Sequence, residues 1–167
     1  DEIVLPAPYS DSNQVIGTNP ICIGEPYTQS VTFNVPATFT YQGITLPISN
    51  VSLATTGAVS GLPAGLNYSC DPPNCVFPSL TLGCMLVSGT ATAANTPGTV
   101  EVGIALTVGT AFGPVPVTFP GDLAPNQHYY FVVKPTGECS SGTADLSGQI
   151  SSVKSAPNPF GQQTTIS

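Results

Sequence analysis

Between residues 27 and 133 the chain alternates apolar and polar side chains in short runs. Val31, Phe33 and Val35 alternate with Thr32 and Asn34, which places three apolar groups on one face of a strand. Pro36 interrupts this run, Phe39 and Tyr41 resume it, and the Gln42-Gly43 turn closes it. Ile44, Leu46 and Ile48 continue into Val51 and Leu53 after a shift near Asn50, and Leu66 and Tyr68 form a further short strand. Met85 to Ala91 reads as the returning strand of a hairpin whose loop runs from Asp71 to Gly83 and whose far end is the Asn95-Thr96-Pro97-Gly98 turn. Val100, Val102, Ile104, Leu106 and Val108 give the cleanest alternation in the chain. The proline-rich stretch 110–127 reads as a long edge connection or broken strand, and Tyr129 to Val133 as the last strand. About seven strands at this spacing predict an all-β fold, an immunoglobulin-like β-sandwich.

Four segments follow from the same pattern: an extended leader over 1–21, the sandwich over 22–135, a linker over 136–155, and a short terminal piece over 156–167. The leader is polar and proline-punctuated, and it lies along the domain or is poorly ordered. Composition reinforces the fold class. With 18 Pro and 17 Gly in 167 residues, long helices are nearly excluded. No run approaches the ~18 apolar residues a spanning helix needs, so membrane insertion is not expected.

Two Lys+Arg against nine Asp+Glu leave a formal charge of −7, which argues against nucleic acid, since phosphate contacts need clustered cations. The same deficit argues against an anionic membrane surface. Five cysteines without a CxxC pair, and with His128 as the only histidine, point to an oxidising compartment, extracellular or on the outer cell surface. No signal peptide is visible, so the chain reads as mature from Asp1.

Three of the cysteines, Cys70, Cys75 and Cys84, lie in or beside the hairpin loop. Each local pairing closes a loop worth about 2–3 kcal/mol, too close to choose between them on entropy alone. Cys70 and Cys84 stand at the two stems, where cross-strand neighbours come within disulfide reach. Cys70 to Cys75 would have to reverse within Asp71-Pro72-Pro73-Asn74, which two trans prolines resist. The reading therefore favours a bridge ending at Cys84, with Cys22 to Cys139 as a second one joining the ends of the domain, and one cysteine left over. The residues Asp71, Pro72, Pro73, Asn74 and Phe77 are the candidate recognition loop, because loops on a rigid sandwich carry most recognition.

Chemistry of other kinds finds little purchase. A catalytic thiol or a His128 general base lacks a partner motif such as GxSxG, so no catalytic residue, cofactor or metal ligand is assigned. Asp71, Glu101 and Asp122 could meet at one end of a sandwich around calcium, but no DxDxDG-like spacing accompanies them. There is no Trp for sugar stacking, and Tyr27, Tyr41, Tyr68, Tyr129 and Tyr130 fall in strand patterns where half face the core.

Two resemblances add to this. Leu62-Pro63-Ala64-Gly65-Leu66 and Ser88-Gly89-Thr90-Ala91, followed by an alternating strand, resemble the immunoglobulin-like repeats of bacterial surface proteins, with Ala91 in place of the usual proline and the Cys-rich loop as an insertion. That resemblance covers about half the chain and implies a sandwich used as a spacer or adhesive module. Pro157-Asn158-Pro159-Phe160, with Thr164-Thr165-Ile166 beyond it, resembles the opening of the C-terminal sorting domain of type IX secretion cargo in Bacteroidetes. Such domains run on for dozens more residues, whereas this sequence stops soon after the motif. Together they imply a non-enzymatic secreted module that meets the type IX machinery during export, then a surface polymer or protein partner. The alternative is a glycan- or polymer-binding accessory module of a larger enzyme.

Overall fold

The computed structural model describes residues 4–139 of the chain. Most of the expected linker, and the motif Pro157, Asn158, Pro159 and Phe160, lie outside the described residues. Fifteen short strands follow one another: β1 (Val4–Leu5), β2 (Tyr9–Ser10), β3 (Ile21–Cys22), β4 (Pro26–Asn34), β5 (Thr38–Tyr41), β6 (Ile44–Ser52), β7 (Val59–Ser60), β8 (Leu66–Asp71), β9 (Val76–Pro78), β10 (Leu82–Thr90), β11 (Gly98–Glu101), β12 (Gly103–Thr110), β13 (Gly113–Phe119), β14 (Gln127–His128) and β15 (Tyr130–Lys134). No helix among the described residues is long and apolar enough to cross a membrane.

One sheet has the order β1-β4-β10-β8 and faces a second of order β13-β12-β6-β5, to which β7 and β9 also pair. These are the A-B-E-D and C-F-G sheets of an immunoglobulin-like sandwich. The strand count exceeds seven because short strands such as β2, β3, β5, β7, β9 and β14 join the long ones and because the longest alternating run is split. Val100 to Val108 reads as one run, but Val102 turns inward and its N–H bonds the Tyr129 carbonyl at 2.8 Å, so β11 pairs with β15 while β12 pairs with β6 and β13. The stretch 110–127, expected as an edge connection or broken strand, holds β13, and the expected last strand, Tyr129 to Val133, is β15. In β13, Pro114 and Pro116 fall on an edge strand, where a missing donor costs nothing in the ladder.

The leader is part of the sandwich. β1 pairs with β4, β2 with β14, and β3 runs parallel to β15, while the Thr18 hydroxyl donates to the Tyr130 carbonyl at 2.7 Å. The domain also extends past residue 135. Thr136 donates to the Ile23 carbonyl, and Cys139 is bridged to Cys22 across 117 residues.

The two halves of the LPAGL and SGTA motifs meet in the structure, which gives their glycines a physical reason. Gly65 has φ +95° and Gly89 φ +139°; a Cβ on Gly65 would lie 2.1 Å from the Thr90 carbonyl oxygen, and one on Gly89 2.3 Å from that of Gly65. The backbones of β8 and β10 approach at a point where neither residue can carry a side chain. Gly65→Ala is therefore expected to destabilise the domain by at least about 1–3 kcal/mol, read as a lowered denaturation midpoint without a change in slope.

Candidate functional site

The expected recognition loop keeps its turn at the surface but sends Cys75 and Phe77 into the interior. Its reversal is made by a cis Asp71–Pro72 peptide, by Cys75 at φ +53°, and by a Cys75 N–H to Pro72 carbonyl bond of 3.0 Å. The premise of two trans prolines thus fails, and Cys70 bonds Cys75, with Cα atoms 5.2 Å apart. Cys84 remains the free thiol. The register explains this correction. Met85 stands opposite Cys70 and Cys84 opposite Asp71, so Cys70 projects toward the core and Cys84 to the outer face of the same sheet. Alkylation of the unreduced protein is expected to add one label, at Cys84, and mass spectrometry of the intact chain checks it.

Beyond the bridge, Val76 to Pro78 becomes β9 and pairs with β6. Phe77 is fully buried and meets Phe33 edge-on at 4.6 Å. Of the proposed loop, Asp71, Pro73 and Asn74 are exposed and Pro72 is half-buried. The Asn74 side chain accepts the Val76 N–H at 3.1 Å, which holds the turn together.

Side chains able to contact a ligand gather elsewhere, and strand alternation places them. Tyr129 points inward, so His128 and Tyr130 on either side point outward. His128 stands opposite Tyr9 across the β14–β2 pair, and Tyr130 opposite Glu101 across β15–β11. His128 and Tyr130 stack at 5.5 Å with rings 8° from parallel, and Tyr9 meets Tyr130 edge-on at 5.4 Å. The His128 Nδ1 and the Glu101 Oε1 are hydrogen-bonded at 2.5 Å. Partial desolvation, then the Glu101 carboxylate, Tyr9 and Asp11, hold the Tyr130 phenol above its ordinary value.

A cleft of about 420 Å³ opens beside this cluster, lined by Ser60, Glu101, Thr118, Asn126 and His128 among others. The Ser60 hydroxyl donates to the Gly103 carbonyl at 3.1 Å, so its proton is aimed at a backbone oxygen and not at the imidazole. Glu101 is joined to His128 and Asp122 to the Thr118 N–H, and no three His, Cys, Asp or Glu side chains gather as metal ligands among the described residues.

The other tyrosines weighed for stacking serve the fold. Tyr27 and Tyr129 are buried, which pushes both phenols up, Tyr27 acting on Tyr129 as the lesser cause. Tyr68 bridges the Ala58 N–H and the Ala54 carbonyl, and Tyr41 stacks on Phe39. Tyr9 is the member of the cluster that the periodicity misses, because its two-residue strand sits alone in an aperiodic leader.

No family model and no curated protein matches the chain. Among solved structures it is similar to a family 123 glycoside hydrolase from Clostridium perfringens, described for glycolipid glycan hydrolysis, at 11% identity and a TM-score of 0.35. The likeness covers 77% of this chain and 26% of that one, so the chain spans about a quarter of that protein's length.

Proposed function

We propose that the chain is a non-enzymatic secreted module, exported by a type IX secretion system and serving adhesion, spacing or assembly at the outer cell surface. The observation that carries this reading is the pair of disulfides, Cys22–Cys139 and Cys70–Cys75, which fit an oxidising environment. The resemblance of Pro157-Asn158-Pro159-Phe160 to the opening of a sorting domain supplies the route. A reporter fused ahead of residues 136 onward, continued to the natural terminus of the protein, tests it. The reporter should accumulate outside a type IX-competent Bacteroidetes host and remain inside a strain lacking the translocon; equal retention in both would sink the proposal.

A second reading, a glycan- or polymer-binding module, is favoured by one feature: the outward-facing Tyr9, His128 and Tyr130 rings beside the Glu101 carboxylate. Sugar rings stack on such faces while a carboxylate takes their hydroxyls. On a glycan array, binding abolished by Tyr9→Ala or Tyr130→Ala, with the fold intact, would favour this reading over a spacer.

A further inference from the structure

The two main sheets do not close on one another everywhere. Between Val31, Phe33 and Met85 on one side and Val51, Leu106 and Val108 on the other lies a cavity of about 730 Å³. Residues directly opposite in an antiparallel pair share a face. Leu106 stands opposite buried Val117, Val51 opposite buried Val108 and Phe77, and Phe33 opposite buried Gly83. All three therefore point into the sandwich, yet each is only partly buried. What leaves them accessible is the space between the sheets.

Protein interiors seldom keep a void larger than a few waters. This one is partly open to solvent, so its apolar walls face water unless something covers them. Water gains few partners on such a wall, so filling it with water recovers little. The volume lies within the range of ordinary ligand sites, which are mostly apolar with a few polar groups at fixed places.

The lining also sets the ligand's charge. In a chain of net charge −7, no Asp, Glu, Lys, Arg or His among the described residues lines this cavity, so a charged group carried into it would be desolvated without a counter-ion from these walls. Polar side chains lie around it instead: Ser10 on the leader strand, Thr38 on β5 and Gln127 on β14. These can hydrogen-bond an uncharged head group while the aliphatic walls take a flexible tail.

We propose that this cavity binds a neutral single-chain lipid, an acyl or alkyl chain carrying an uncharged polar head. The chain lies between Phe33 of β4 and Val51 and Leu106 of the facing sheet, and the head meets Thr38 and Gln127.

Displacement of Nile red from the full chain by 1-monolauroylglycerol, compared with laurate, tests the assignment. The expected result is saturable displacement at one site per chain, with laurate at least ten-fold weaker. Leu106→Trp and Val51→Phe, each checked for fold by circular dichroism, fill the space and should weaken binding ten-fold or more. Leu82→Ser, on the outer face of β10, should leave it unchanged. Dye bound without saturation, equal affinity for laurate, filling variants that bind like the parent, or loss caused by Leu82→Ser would each overturn the proposal. So would a dimer in sedimentation that Leu106→Trp dissociates, since a second copy would then occupy the cavity. If both filling variants fail to fold, the stoichiometry and the laurate comparison on the parent protein decide.

Discussion

Removing the Cys22–Cys139 bridge by the double substitution Cys22→Ala with Cys139→Ser is expected to lower stability by about 4–5 kcal/mol, because the bridge closes a loop spanning 117 residues. For a chain of this size that corresponds to a fall in Tm of roughly 10–15 °C. Both cysteines are replaced so that neither is left to exchange with Cys84. The effect concentrates on the leader. β3 meets β15 at two positions, Ile21 opposite Val133 and Cys22 opposite Lys134, a pairing too short to hold by its ladder alone. Without the bridge, Ile21, fully buried in the intact protein, becomes the first core residue to open. Calorimetry with amide exchange on residues 18–25 checks this. A Tm shift under about 3 °C would mean that side-chain packing, not the covalent link, holds the leader.

Phe77→Ala is expected to cost about 3–5 kcal/mol, the usual penalty for emptying a fully buried aromatic site. Phe77 and Phe33 meet edge-on across the point where Gly83 lies, and a Cβ on Gly83 would stand 2.4 Å from the Phe33 ring and 2.5 Å from that of Phe77. Gly83 is thus small because two rings occupy the space beside it. In urea, the Phe77→Ala midpoint should fall well below that of Asn74→Ala, which removes one exposed turn contact and costs about 1 kcal/mol or less. Equal midpoints would restore the segment from Asp71 to Gly83 to the open surface loop that its composition implies.

The contrast between Phe77 and its neighbours shows where periodicity stops informing. A three-residue strand offers one inward position, which cannot be told from a loop residue by alternation. Tyr9 was hidden for the same reason. The long strands were legible because each repeats its alternation several times; Val31 and Phe33 of β4, and Ile104, Leu106 and Val108 of β12, all face inward as read. Tyr129 and Tyr130 were legible as a pair on opposite faces, but alternation does not say which one faces the core. That depends on β15 joining β11 and β3 over Ile21, and it decides that Tyr130, and not Tyr129, joins His128, Tyr9 and Glu101.

Local spacing by itself determined the all-β class, the turns, and the absence of any stretch able to span a membrane as a helix, since these depend on neighbouring residues and on proline and glycine. It also offered Cys22 and Cys139 as a bridge joining the ends of the domain, although the boundary it set at residue 135 left Cys139 in the linker. The partner of Cys70 was decided only in three dimensions. A strand register one residue different would have set Cys70 and Cys84 on the same face; the observed register puts Met85 there, and a cis proline turn brings Cys75 instead. The cavity between the sheets belongs to the same class of fact, because the distance at which two sheets come to rest is set by all their inward side chains together and by no run of sequence alone.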